Sequence, residues 1–436
     1  MNPVKVGICG LGTVGGGTFN VLQRNAEEIA RRAGRGIEVA QIAMRTPKPQ
    51  FQTTGIAITN DVFEVATNPE IDIVIELVGG YTVARELVLK AIENGKHVVT
   101  ANKALIAVHG NEIFAKAREK GVIVAFEAAV AGGIPVIKAI REGLSANRIN
   151  WVAGIINGTG NFILTEMREK GRTFEDVLAE AQALGYAEAD PTFDVEGIDA
   201  AHKLTILASI AFGIPLQFDK AYTEGITKLT TADVNYAEAL GYRIKHLGVA
   251  RSTANGIELR VHPTLIPADR LIANVNGVMN AVMVNGDASG STLFYGAGAG
   301  MEPTASSVIA DLVDVVRAMT SDPEKPCATP GLPARLAVGS PDSSDRGMRK
   351  LLLPAHPGQG PSRCAGPSGE YPFGTRHQHR VDHAEGSRGT RRPGADDPAD
   401  PPCGRAAHQR RDCGAGSAPG CRWPGGPYPR RTFELI

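Results

Sequence analysis

Three glycines near the N-terminus narrow the folds open to this chain more than any other feature. Gly10, Gly12 and Gly15 follow the apolar run VKVGIC, which begins at Val4, and lead into the helical pattern TVGGGTFNVLQRN. In a strand–turn–helix passage of this spacing the first glycine makes the turn. The second lets backbone approach a ligand, and the third lets the helix pack close to the strand. The N-terminus of the helix then faces the turn with its unpaired amides and favours an anion such as a pyrophosphate. Gly10, Gly12, Thr13, Val14 and Gly15 are therefore read as the cofactor contacts of a βαβ dinucleotide-binding unit. The alternative is a plain glycine-rich turn.

The second strand of such a unit, GIEVAQIAMRT, ends near the adenosine ribose. An acid there holds a 2′-hydroxyl; this sequence offers Arg45, then Thr46 and Lys48, and a guanidinium suits a 2′-phosphate. The expectation is NADP(H), with NAD(H) open and a solvated loop arginine as the bland reading. IDIVIELVGG predicts a buried parallel strand ending in glycines, Gly79 among them, and a helix from about Val83 to Asn94. HVVTANK predicts a strand stopping at Thr100. Lys103 then lies in the turn beyond the strand's carboxyl end, where open α/β sheets bind ligands. VIVAFEAAVAGGIPVI predicts one more strand, with Glu127 among apolar residues. That glutamate either caps a backbone amide at a helix start or gives one oxygen to a monovalent cation.

From about Asn147 the pattern becomes α+β: the strand INWVAGIIN, the turn NGTGN, a helix to Gly171 and a charged helix through Leu184. The segment from Glu188 to Gly213 then runs a set of carboxylates (Glu188, Asp190, Asp194, Glu196) into a helix. At 3.6 residues per turn Asp199 and Lys203 share a face that continues as Ile206 and Ile210. Steering a charge pair into apolar surroundings costs several kcal/mol of desolvation, so chemistry is one reason to keep it. An ordinary i,i+4 pair on a solvated helix is the other reading. Beyond it the sequence predicts a helix over TTADVNYAEALGYRIKHLGVA, strands at IELRVHPTLI, LIANV and NAVMVNG, and a closing amphipathic helix after Gly296, Gly298 and Gly300; that glycine stretch either returns to the cofactor or is a simple loop before the helix.

Composition changes near Lys325. After Glu324 fall 17 of the 28 prolines and five of the six cysteines, and the only isoleucine there is Ile436. That segment has no period able to build a helix or sheet and is expected to be disordered. Its cysteine spacings match no zinc pattern. Formal net charge is +0 with no basic stripe, so neither nucleic acid nor an anionic membrane is implied as a partner. No apolar run is long enough to span a bilayer and no signal-like segment opens the chain, so a cytoplasmic location is expected.

With the glycine turn, TANK, NGTGN and the Glu188–Lys203 segment laid out in order, the chain resembles homoserine dehydrogenases of the bacterial, regulated type from about Val4 to Pro323. The resemblance implies a Rossmann-like doubly wound α/β domain over 1–136, completed by about 296–322, and an α+β substrate and dimerisation domain over 137–295. It implies reduction of L-aspartate 4-semialdehyde to L-homoserine, on the way to threonine and methionine, in a homodimer or homotetramer. Lys203 would be the proton donor and Lys103 the second lysine at the reacting centre. Asp199 and Glu188, with support from Asp194, Gly158 and Thr159, would hold the substrate. Gly79, Thr100, Lys103 and Gly300 would join the cofactor contacts, and Glu127, Val130, Gly132 and Ile134 would form a structural Na⁺ or K⁺ site. The resemblance fails over 325–436, where the family continues into a threonine-binding ACT domain. Synonymous codons for LPAHPGQGPSRCAGPSGEYPFGTRHQHRV, read one base out of frame, permit LRIRAKDHPGVLAQVANILSERGINIES, which has the strand–helix–strand look of that module. A displaced reading frame and loss of threonine feedback are expected. A non-catalytic NADP-binding protein, or another NADP-dependent oxidoreductase of an aldehyde or amino acid, are the alternatives.

Overall fold

The apolar run at the N-terminus forms β1 (Val4–Cys9), and helix α1 (Thr13–Arg24) starts directly after the glycine turn. The structure is a computed structural model describing residues 2–320; the expectations for 325–436 lie outside the described residues. Strands β2 (Ile37–Ala43), β3 (Ala57–Thr59), β4 (Ile73–Glu76), β5 (His97–Thr100) and β6 (Val124–Ala125) complete a six-stranded sheet in the order β3-β2-β1-β4-β5-β6. Every pairing in it is parallel. Both faces of β4 are covered, as a parallel sheet flanked by helices requires. The strand order reverses between β1 and β4, which opens a ligand crevice at their carboxyl ends.

Between β5 and β6 runs α2 (Lys103–Lys120). The second sheet contains β7 (Ile149–Ile155), β8 (Tyr222–Thr223), β9 (Tyr242–Thr253), β10 (Gly256–Pro267), β11 (Met279–Gly286) and β12 (Gly290–Ala297). Its order is β12-β11-β7-β9-β10-β8, antiparallel apart from the β10–β8 edge. Helix α3 (Gly158–Lys170) follows β7, and α4 (Ile198–Phe212) lies across one face. There Ala200, Ala201 and Leu204 of α4 share a core with Val152, Val261 and Val282 of the strands. The last described helix, α5 (Met301–Thr320), goes back to the first sheet. A side chain at Gly17 of α1 would stand 2.5 Å from the Met301 carbonyl oxygen, and Val308, Leu312 and Val316 join Val4, Ile8 and Phe19 in one core.

Four sequence expectations differ from the structure. The helix expected from Thr230 stops at Ala239, because Gly241 takes a left-handed φ of 80° and the following residues become β9, held between β7 and β10. LIANV is a 3₁₀ turn over Leu271–Asn274. The strand expected to carry Glu127 ends at Ala125, and Glu127 opens a 3₁₀ turn, since its carboxylate is used by backbone amides further on. Gly296 sits in β12, opposite Asn280, and not in a loop.

Candidate active site

At the first crevice, Gly10 has φ +99° and donates its amide to the Ala43 carbonyl (2.9 Å), joining the ends of β1 and β2. A Cβ on Gly15 would lie 1.9 Å from the Gly10 carbonyl oxygen, so the close approach of α1 to the turn needs glycine. A Cβ on Gly12 would meet nothing within 4 Å. Its missing side chain leaves space where a pyrophosphate backbone contact would form. The adjoining cleft, about 590 Å³, is lined by Gly12, Arg45, Thr46, Lys48, Asp61 and Gly79 among others. Thr13 and Val14 open α1, with Val14 turned toward the core. Gly300, at φ +130°, ends the glycine loop before α5 and does not line this cleft.

The first sheet also positions Lys103. The buried Glu76 at the end of β4 accepts the Thr100 hydroxyl (2.6 Å), and Thr100 Oγ1 accepts the Asn102 amide (2.9 Å). Asn102 caps α2 by accepting from Leu105 N, so Lys103 is the first helical residue. Its ammonium reaches across to Asp199 Oδ1 at 2.8 Å.

Asp199 is the centre of the cluster. Its other oxygen, Oδ2, accepts from Lys203 Nζ (2.7 Å), one turn on in α4, and from Asn157 Nδ2 (2.9 Å). Lys203 Nζ also donates to the Ile156 carbonyl at 2.7 Å. Asn157 Nδ2 bridges to Asp194 Oδ1 (2.7 Å), and Asn157 Oδ1 accepts Gly160 N as the N-cap of α3. One amide at the end of β7 thus holds both acids and begins the helix. The sequence reading did not single out Asn157, although an Asn directly after a strand and before G-x-G carries an N-cap signal.

The two lysines lie in opposite electrostatic surroundings. The Asp199 carboxylate beside Lys103 raises its pKa against the pull of partial burial. Burial lowers that of Lys203, and the neighbouring Lys103 charge adds to this, while Asp199 opposes both. Burial by itself would raise the Asp199 pKa; the Lys203 and Lys103 ammoniums outweigh it and hold the carboxyl well below the usual range. Asp194 shifts the other way, raised by burial despite its Asn157 hydrogen bond. Lys103 is 42% exposed and Lys203 11%, so Lys103 borders the open side and Lys203 the protein side.

The remaining expected substrate residues lie around this cluster without all pointing into it. Glu188 is exposed in the loop before Asp190, and its charge is among those that raise the Lys103 pKa. Thr159 Oγ1 donates to the Tyr186 carbonyl (2.6 Å) and so fastens that loop to α3. Gly158 starts α3, where a Cβ would stand 2.7 Å from Val278 O. Glu127, buried, accepts Ile137 N and Lys138 N (2.9 and 2.8 Å), and the chain then twists through positive φ at Ala131 and Gly132 (55° and 51°). Val130 and Ile134 are buried in this turn, and Gly132 O accepts the Ser307 hydroxyl at 2.6 Å.

A parallel sheet in this order, with a side-chain-free turn at its crevice and a lysine pair on one buried carboxylate, defines a dinucleotide-dependent oxidoreductase. Residues 10–127 match the description "Homoserine dehydrogenase, NAD binding domain" and residues 135–313 match "Homoserine dehydrogenase". A homoserine dehydrogenase of Pseudomonas aeruginosa is 89% identical over 324 residues, 74% of this chain and 75% of that one. One from Neisseria gonorrhoeae is 62% identical over 323 residues, 74% of each. Among solved structures, the Thiobacillus denitrificans enzyme superposes with a TM-score of 0.73 at 70% identity, over 74% of this chain and 75% of that chain. A hyperthermophilic archaeal homoserine dehydrogenase in complex with NADPH gives 0.62 at 26% identity, over 72% and 97%. The chain belongs to the homoserine dehydrogenase family.

Proposed function

We propose that the chain interconverts L-aspartate 4-semialdehyde and L-homoserine, with NADP(H) as the preferred hydride carrier and NAD(H) as the second. The observation that carries this is the single buried carboxylate, Asp199, shared by an ammonium from each sheet's helices. The bound nicotinamide supplies the hydride for the aldehyde carbon. As the carbonyl π pair moves onto oxygen, Lys203 Nζ delivers the proton, and Lys103, kept charged by Asp199, stabilises the developing alkoxide. Oxidation reverses these steps, with Lys203 taking the hydroxyl proton. Asp194 and Glu188 attract the substrate's ammonium, and Gly158 and Thr159 form the floor beside it. A non-catalytic nucleotide-binding role would leave the desolvation of the Asp199–Lys203 pair without a purpose.

The glycine turn fits a pyrophosphate, and Arg45 on its cleft fits a 2′-phosphate. Gly79 lines the same cleft, and Val14, Gly15, Thr100 and Gly300 join that reading on the family resemblance alone. A structural Na⁺ or K⁺ at the Glu127 turn is carried by the family resemblance: the Glu127 carboxylate has lone pairs beyond the two amides it accepts, and the carbonyls of Val130, Gly132 and Ile134 would complete the ligand set, those of Gly132 and Ile134 while also accepting from Ser307 Oγ and Val136 N. We take 1–136 with 296–322 as the cofactor domain and 137–295 as the substrate domain. Subunits pair through the second sheet, as the family resemblance implies, in a cytoplasmic homodimer or homotetramer. Among the described residues no helix is long and apolar enough to cross a membrane. Residues 325–436 are taken as the product of a displaced frame without threonine control. In support, the match to the Pseudomonas relative leaves about a quarter of each chain unaligned.

The test is NADP⁺ reduction by homoserine with wild type and Lys203→Ala, with and without threonine. Loss of about 10³-fold or more in kcat, with cofactor binding kept and no effect of threonine, is expected. Turnover by Lys203→Ala at the wild-type rate refutes the assignment of Lys203.

A further inference from the structure

Asn280 is 1% exposed, yet neither Nδ2 nor Oδ1 has a hydrogen-bond partner. An amide buried with both polar atoms unmet costs the desolvation of each group without return and calls for a reason. Its position supplies one. Along β11 it alternates with Ala281 and Met283, which face away from α4, and falls in phase with Val282 and Val284, which pack in the core shared with α4. The β11–β7 ladder ends at Ala281↔Ile155, so Asn280 lies one residue beyond it on β11, and Ile156, whose carbonyl takes Lys203 Nζ, one residue beyond it on the other strand.

The amide is enclosed by two glycines. A Cβ at Gly298 would fall 2.0 Å from both Cγ and Nδ2 of Asn280, and a Cβ at Gly158 would fall 3.6 Å from Oδ1. Glycine at 298 is thus what makes room for the amide. Gly158 begins α3, where Asn157 Oδ1 takes the Gly160 amide and Asn157 O accepts Asn161 N. By the usual helix count this leaves the first-turn amides of Gly158 and Thr159 for a ligand with negative charge. Asp194, on the far side of Asn157, serves the opposite charge.

We propose that Asn280 is a substrate-binding residue, donating from Nδ2 to the α-carboxylate of the amino acid while the amides at the start of α3 share that charge. This rests on the reading of the site given above. It makes Asn280 a specificity determinant: an aldehyde or alcohol without the carboxylate leaves the amide unmet and gains nothing from it.

The experiment compares wild type with Asn280→Ala. It measures KM for L-homoserine, inhibition constants for 4-hydroxybutyrate (carboxylate, no ammonium) and 3-aminopropan-1-ol (ammonium, no carboxylate), and the NADPH dissociation constant by fluorescence. Loss of one hydrogen bond to a charged group predicts a rise of about 10- to 100-fold for homoserine and 4-hydroxybutyrate. The aminopropanol and NADPH constants should stay within about twofold of wild type on the same argument. Equal weakening of both inhibitors, no change in either, or a weakened NADPH constant overturns the proposal. Asn280→Asp, close to isosteric, guards against a folding defect: it puts like charge beside the carboxylate, and unchanged binding of 4-hydroxybutyrate by that variant overturns the proposal equally. A wild type that fails to oxidise homoserine at all refutes the underlying function instead.

Discussion

Asp199→Asn isolates the charge at the centre of the site. The carboxylate offers Oδ1 to Lys103 and Oδ2 to both Lys203 and Asn157, with side-chain exposure of 6%. An asparagine keeps the shape but has one acceptor, so one donor must face an NH₂ group and two ammoniums lose their counter-charge. Breaking a buried pair by neutralising one partner costs roughly 3–5 kcal/mol. Most of that falls on Lys203; the Lys103 arm is 42% exposed and screened, and adds no more than about 1 kcal/mol. The cost depends on pH. Lys203 already has a lowered pKa in the fold, and removing Asp199 takes away the main influence raising it. A lysine lowered in the folded state binds fewer protons than the unfolded chain between that value and the ordinary 10.5, so stability rises with pH across this window. Urea denaturation at about pH 6 and about pH 9 should show a large loss of midpoint at the acid end that shrinks at the alkaline end. The pH profile of homoserine oxidation, which on the proposed assignment needs neutral Lys203, should move to lower pH. A loss of equal size at both pH values, or an unchanged midpoint, refutes the reasoning.

Two further outcomes are expected. Arg45→Ala should raise KM for NADPH about 10-fold or more while NADH changes little, as loss of a charge-assisted hydrogen bond requires; equal changes for both cofactors would remove Arg45 from the 2′-phosphate. Lys245 is 1% exposed, donates to Asn161 Oδ1 (3.1 Å), Asn276 Oδ1 (3.3 Å) and the Val275 carbonyl, and is pushed down by burial, with Arg168 and Arg243 adding to it, to about 7. Between that value and 10.5 the unfolded chain holds the extra proton, so wild-type stability gains up to about 1.4 kcal/mol per pH unit from this group, and Lys245→Met should flatten that slope. Melting curves at about pH 7, 8 and 9 check it, and a slope unchanged in the variant would count against the burial argument.

Legibility in the sequence followed how local each signal was. Asp199 and Lys203 show as an i,i+4 pair because both are on one helix, and Gly10, Gly12 and Gly15 show because the turn is contiguous. Asn157 and Asn280 did not show, since their partners come from other elements: Asp194 and Asp199 for one, Gly158 and Gly298 for the other. The misread helix has a similar cause. In β9 five consecutive residues from Ile244 to Gly248 are buried, Lys245 and His246 among them. Cover on both faces removed the period-2 alternation that marks a strand, and Ile244 with Leu247 imitated a helical repeat.

The two lysines share one carboxylate and differ in surroundings, and the proposed division of duty between them follows from the fold. Lys103 begins a helix, where the helix dipole disfavours a cation, yet Asp199 keeps it charged, and it stands on the open side. Lys203 is one turn into α4 beneath Ile156 O, where burial and the Lys103 charge both weaken its hold on a proton. A fixed positive charge suits the alkoxide, and a proton held less tightly suits transfer. Because Lys103 comes from the first sheet's helix and Lys203 from the second's, the acidity of the donor depends on the contact between the two layers at Asp199. A substitution that loosened that contact would therefore change the pH dependence of turnover before it changed the fold.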